Sequence, residues 1–224
     1  MSVPSGTGQT YSYTTIREDL DDVVYKISPT ETPVMSAIGR DTADNTYFEW
    51  SVVELAAASG ANKVVEGDTY SFASVTATSR IGNYCQIFQD TIFVSGRAEV
   101  VDKAGMKSAM AYNKAKSYKE LMRDMEKMVV SNNVAVLGSG VAAAKATGLG
   151  PLIYTNANHG AGGSTVAHTS GVASVAPTAG TPRAFSKTIY DAAVQATYIS
   201  AGKVPKAVYM SPAHKALAST FTGI

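Results

Sequence analysis

The chain has 224 residues, with 19 basic and 18 acidic side chains and a formal net charge of +1. That length allows one generous domain or two small ones, and the balanced charge excludes the electrostatic footprint of a tight nucleic-acid binder. Only 17% of residues are charged while 45% are apolar, a depletion expected where much outer surface is buried against copies of the same chain.

In chain order, 1–13 is rich in Ser, Gly, Thr and Tyr without a period and reads as a flexible arm with no signal-peptide architecture. Thr15 stands three residues before Glu18 as a capping box, and Ile16, Leu20, Val23, Val24 and Ile27 follow at helical spacing. Ser28-Pro29 stops that helix. Thr32 as cap, Pro33 at the first helical position and Gly39 beyond Ile38 predict a second, shorter one. Tyr47 to Val53 and 83–95 are rich in strand-forming residues. In the second run Tyr84, Phe88, Ile92 and Val94 share one face, and Cys85, Ile87 and Phe93 the other. Between the two lies a polar stretch of small residues, 57–82, too long for a tight hairpin. A projecting two-stranded arm is expected.

Ser95-Gly96 opens a long helical region with a kink or break at Gly105. Beyond it Ala111, Ala115, Tyr118, Leu121, Met122, Met125, Met128 and Val129 form an apolar stripe, opposite Lys116, Glu120, Arg123 and Lys127. Residues 138–182 are Gly, Ala, Ser and Thr with few large side chains, and read as loop or weak strands on a surface. Phe185, Ile189, Ala192, Ala196 and Ile199 lie on one face of a helix that Gly202 closes. A short strand is expected over 204–210, then a helix begun by Pro212. The chain stops at Phe221-Thr222-Gly223-Ile224 and reads as cut short.

No catalytic constellation rises above background. Gly138-Ser139-Gly140 mimics a dinucleotide turn, but Gly148, Gly150 and Pro151 break the helix it needs and the distal acid is missing. The cluster Glu18-Asp19-Leu20-Asp21-Asp22 lacks the glycine and glutamate of a calcium loop. His159, His168 and His214 have no metal-ligand spacing, and no Gly-x-Ser-x-Gly elbow is present. Cys85, the single cysteine, excludes an intrachain disulfide and on an apolar face reads as core. No apolar run is long enough to span a membrane, so a soluble protein made inside a cell is expected, with no cofactor or metal.

The ordered set Ile27-Ser28-Pro29-Thr30-Glu31-Thr32-Pro33, Ala37-Ile38-Gly39, Glu49-Trp50, Val65-Glu66-Gly67, Asn83-Tyr84-Cys85-Gln86-Ile87, Val94-Ser95-Gly96 and Leu121-Met122-Arg123-Asp124-Met125-Glu126 resembles the major capsid (major head) proteins of tailed phages. Val208-Tyr209-Met210-Ser211-Pro212-Ala213-His214-Lys215 fits a later part of the same pattern. The resemblance implies an α+β, Hong Kong 97-type capsid fold. It implies an N-terminal arm over 1–45, an extended loop over 46–97 and the spine helix of a peripheral domain over 98–133. An axial domain over 134–224 would be truncated and carry an insertion at about 138–182. It also implies a structural protein rather than an enzyme: a subunit that self-assembles as pentamers and hexamers into an icosahedral head. Its partners would be a separate scaffolding protein, a portal, and double-stranded DNA enclosed without sequence-specific binding. Assembly would take place in the host bacterial cytoplasm, without a membrane, and the product would be the virion. Candidate assembly-interface residues are Lys63, Glu66, Gly67, Asp68 and Arg80 on the loop, and Thr15 and Glu18 on the arm. A smaller ring or tail component, or a hydrolase with a spatially assembled site, would be the alternatives.

Overall fold

Proline has no N–H to lose in the first turn of a helix, and its φ is already helical. Pro33 opens the five-residue helix Pro33–Ala37 (α1) in the computed structural model, which describes residues 31–70 and 72–222. The helix expected from Thr15 to Ile27, with Thr15 and Glu18, lies outside the described residues. Thr32 precedes α1 as expected, yet its side chain makes no capping hydrogen bond; a residue far along the chain takes that role, as described below.

The two strand-forming runs pair. Tyr47–Val52 (β1) and Ser79–Tyr84 (β2) form a six-residue antiparallel ladder, from Tyr47 opposite Tyr84 to Val52 opposite Ser79. The second strand thus begins and ends earlier than the 83–95 expected from alternation, and 86–94 is not strand. The ladder ends because β1 ends: the Cys85 N–H still reaches the Thr46 carbonyl at 2.8 Å, and further on no strand stands opposite. Ile87 and Phe93 are accordingly exposed rather than set in a sheet face.

The largest departure is in 138–182. This stretch of small residues contributes the short helix Leu149–Leu152 (α4) and the hairpin Ala167–Thr169 (β3) and Val172–Val175 (β4). With them the sheet has four strands in the order β1-β2-β4-β3, β4 joining β2 in parallel at Gly82 and Val172. Far from a loosely packed surface, it supplies Val166 (3% exposed), Ala173 (2%), Ala146, Thr147 and Pro151 to the core. Small size is the reason. A Cβ on Gly171, whose φ is +80°, would collide with the Arg80 carbonyl, and one on Gly148 with that of Ser131. Backbones approach here to distances that larger residues forbid.

Gly96–Val100 (α2) and Ala109–Val130 (α3) form the broken helical region, with Gly105 between them at φ +76°. The second half of the expected stripe faces inward: Leu121, Met122, Met125, Met128 and Val129 are all partly buried. In the first half Ala111, Ala115 and Tyr118 are exposed, and Ala109, Tyr112, Asn113 and Ser117 turn inward instead. A polar residue can sit on the inner face if bonded, and the Ser117 hydroxyl donates to Asp90. Lys187–Ala201 (α5) ends at Gly202 in the left-handed region, and Pro212–Ala218 (α6) starts behind Ser211. The strand expected over 204–210 does not form; Pro205 lacks a ladder donor, and none of the four strands lies in or pairs with this segment.

The architecture is mixed α+β. Two compact units can be distinguished: Gln89–Leu121 belongs to one, and Thr32–Phe88 with the chain from Met122 onward to the other.

Candidate functional site

The stretch 53–78 between β1 and β2 carries the feature that a folded chain most needs to explain. Every described residue in it is exposed, including Leu55 (94%), Tyr70 (93%), Phe72 (99%) and Val75 (94%). Scattered surface apolar residues are ordinary, but several large ones this fully exposed on one segment are not. Among the described residues its hydrogen bonds are local: Ala61 N–H to Ser59 Oγ at 3.3 Å, Lys63 N–H to the Ala61 carbonyl at 2.8 Å, Asp68 N–H to the Val65 carbonyl at 3.1 Å, and Thr69 N–H to Asp68 Oδ1 at 2.8 Å. Val65-Glu66-Gly67-Asp68 forms a turn with Gly67 at φ +84°, the third-position geometry of a type II turn, which glycine adopts without strain. The turn shapes the tip without fastening it to any other described segment.

The base of this projection is pinned. Arg80 Nη1 on β2 meets Glu49 Oε2 on β1 at 3.0 Å, and the Tyr47 hydroxyl donates to Glu49 Oε1 at 2.9 Å. That hydrogen bond favours the protonated phenol and raises the Tyr47 pKa above its ordinary value. The Tyr47 ring lies where a side chain at position 82 would be, so a larger residue there would have to displace it. Tyr47 also packs on Tyr84, with ring centroids 5.0 Å apart.

Of the candidates read from sequence, Lys63, Glu66, Gly67 and Asp68 are therefore brought together at the exposed tip. Arg80 is not with them. It is engaged at the base, holding the two strands together. Thr15 and Glu18 lie outside the described residues.

Three polar side chains that sequence reasoning did not single out hold the scaffold. Glu126 on α3 accepts the N–H groups of Val34 at 3.0 Å and Met35 at 2.8 Å, satisfying two orphan donors at the start of α1 from 91 and 92 residues away. Asn83 Oδ1 accepts the Thr147 N–H at 2.9 Å, and Gln86 Oε1 accepts the Ala146 N–H at 3.1 Å. These two bind the end of β2 to the stretch of small residues. Glu126 had a faint signal, since both α1 and its own segment belong to the ordered set of resembling motifs. Asn83 and Gln86 lie in another segment of that set, but nothing there pointed to their partners, because a side chain that bonds a distant backbone amide leaves no periodic mark.

Within the other unit Glu99 on α2 organises the start of α3. It accepts the Ser108 hydroxyl at 2.5 Å and the Met110 N–H at 3.0 Å, while Ser108 Oγ accepts the Ala111 N–H at 3.1 Å. The Ser108 bond, then that from Met110, hold the Glu99 carboxyl below its ordinary pKa.

Among the described residues no group of three or more His, Cys, Asp or Glu side chains could hold a metal ion, and no helix is long and apolar enough to cross a membrane. Cys85 is a free thiol with its Sγ 3.4 Å from the Asn45 carbonyl.

Comparison with known proteins agrees with this surface-dominated picture. The family model described as SU10 major capsid protein matches residues 4–224. A curated protein described as the major capsid protein of Escherichia phage Phieco32 is 31% identical over 105 residues, which cover 47% of this chain and 30% of that relative. The shared region is thus less than a third of the relative's length.

Proposed function

Since the chain belongs to the SU10 major capsid protein family, whose members are structural proteins of a phage head rather than enzymes, we propose that it is a shell subunit whose 53–78 loop is an assembly arm laid over a neighbouring subunit. The exposure of Leu55, Tyr70, Phe72 and Val75 carries this reading. These side chains find no cover among the described residues and would find it in a lattice of copies.

The reading extends to a Hong Kong 97-type fold with the boundaries expected from sequence: arm over 1–45, loop over 46–97, spine helix over 98–133 and axial domain over 134–224. The long helix α3 between two regions and the pinned, projecting strand pair support it. The segment 138–182 then belongs to the body of the subunit rather than decorating it, because it holds core residues and a sheet edge.

Each loop contact in such a shell is modest, yet closed symmetry repeats it around every ring of subunits. A bound subunit cannot leave until several contacts break together. The near-zero net charge suits a shell that encloses double-stranded DNA without gripping it. Pentamers and hexamers in the virion, a separate scaffolding protein and portal, and assembly in the host cytoplasm complete the proposal.

The test is deletion of 60–68 in the natural full-length protein. We expect a folded, soluble subunit that no longer forms closed shells by electron microscopy. Shells of normal size and yield would overturn the role given to this loop.

A further inference from the structure

The formal net charge of +1 conceals an uneven distribution along the chain. Residues 1–126 hold twelve Lys and Arg against seventeen Asp and Glu, whereas 127–224 hold seven against one, Asp191. Charge asymmetry of this size between two parts of a chain points to a polyanion as the partner of the basic part. The one acid does not offset it, because Asp191 Oδ2 is 3.0 Å from Lys187 Nζ and neutralises that cation alone.

Much of the remaining charge gathers around α5 and α6, inside one of the two compact units. Phe185, just before α5, meets His214 of α6 and Phe221, with ring centroids 5.3 Å and 5.5 Å apart. Tyr190 of α5, Val208, Met210 and Lys215 line one groove of about 420 Å³. One packed cluster therefore carries Arg183, Lys203, Lys206 and Lys215, and all four are exposed. None of them is in an ion pair among the described residues. Arg183 Nη2 donates to the Asn158 carbonyl at 2.9 Å and to Asn158 Oδ1 at 2.6 Å, which fixes the guanidinium without neutralising it. Lys203 and Lys215 also suit the negative ends of α5 and α6. That role alone needs no absence of acids, yet 192–224 contains none.

We propose that this surface takes the phosphate backbone of double-stranded DNA, in sequence-independent contacts through Arg183, Lys203, Lys206 and Lys215. The inference rests on the shell reading, which supplies the duplex, and names the part of the subunit that meets it. Duplex DNA carries one negative charge per about 1.7 Å of its axis and releases counterions to every cation that meets a phosphate, with no shaped pocket required. Four exposed, unneutralised cations satisfy that requirement, whereas a folded acidic protein would need a matching surface as well. So few contacts per subunit bind weakly and in a salt-sensitive way, in keeping with a shell that encloses DNA without gripping it.

The test is the anisotropy of a short fluorescent duplex of mixed sequence, titrated with the natural full-length subunit at several NaCl concentrations. The triple variant Lys203→Glu, Lys206→Glu, Lys215→Glu is expected to bind at least about tenfold more weakly at low salt, with the slope of log K against log salt reduced by about 2.7. Glutamine at the same three positions should give the same fall in slope, and keeps the test valid if charge reversal unfolds the subunit. Reversing Lys107, Lys114 and Lys119, exposed cations elsewhere, should change the affinity by less than about threefold. A wild type that forms shells yet does not bind the duplex would overturn this surface and leave the capsid reading standing. So would equal losses in the two reversal variants, or equal competition by a polyglutamate chain of matching charge. Duplex binding that follows these expectations, with no shell formed under any condition, would uphold the surface and overturn the capsid reading instead.

Discussion

Glu126 is the residue whose removal should say most about how the segment containing α1 is held. Its carboxylate takes the first two available donors of a helix only five residues long, Val34 N–H and Met35 N–H. So short a helix is not stable alone, since nucleation is costly and few bonds follow it. A hydrogen bond to a charged acceptor contributes about 1.5–3 kcal/mol. Glu126 is partly exposed, so the lower end applies to each of the two bonds. Removing the acceptor also leaves the Val34 amide, on a buried residue, without a partner. Glu126→Ala should therefore weaken the docking of α1 by about 2–4 kcal/mol. Glu126→Gln keeps one acceptor oxygen but loses the charge and opposes the second N–H with a donor, and should cost about half as much.

The assay is amide hydrogen exchange, which reads local opening directly. Each 1.36 kcal/mol is a factor of ten, so exchange at Val34 and Met35 should rise on the order of thirtyfold or more in the alanine variant. The rise in the glutamine variant should be smaller. Amides in β3 and β4 should be unaffected. If Val34 and Met35 exchange within twofold of wild type in Glu126→Ala, the carboxylate does not hold α1 and the reasoning is wrong.

Other perturbations follow from the same geometry. Gly148→Ala puts a Cβ against the Ser131 carbonyl and 3.0 Å from that of Met128 at an ordinary φ of −80°. The cost is steric, about 1–3 kcal/mol, and should appear as a Tm several degrees lower, whereas Gly39→Ala, with nothing within 4 Å, should melt as wild type. Equal Tm values for the two would refute the close approach. Glu99 has a folded pKa below its ordinary 4.5, so its contribution is present above that value and is lost as pH falls through the folded pKa. Ser108→Ala should raise the Glu99 pKa toward 4.5, as read by NMR titration of the carboxyl carbon, and an unchanged value would show that the Ser108 hydroxyl is not the cause.

Much of the helical framework was legible before any coordinates. Pro33 marks the start of α1, Gly105 a kink or break that the structure shows to be a break, Ser211-Pro212 the start of α6, and Gly202 the left-handed end of α5. The Lys116–Glu120 pair follows from helical spacing alone. The absence of a tight hairpin between β1 and β2 was legible too, because two strand-forming runs so far apart in sequence cannot share a tight turn. These signals act between atoms a few residues apart, so the local sequence encodes them completely.

What only the tertiary structure decided are the features whose partner is distant. Alternation marks 83–95 as extended but cannot say that the ladder stops at Tyr84, because that depends on where β1 ends. Tyr118 looks like a member of the apolar stripe and is exposed, while Ser117 turns inward because Asp90 receives its hydroxyl. The stretch 138–182 looks too small to make a core. It does so because glycine and alanine let backbones approach and hydrogen-bond at Gly82–Gly171 and Asn83–Thr147, contacts that exist only once the chain has folded back on itself. Composition announces a protein short of charge and rich in small residues; which of its faces are covered, and which stay exposed, is settled by packing between segments far apart in the chain.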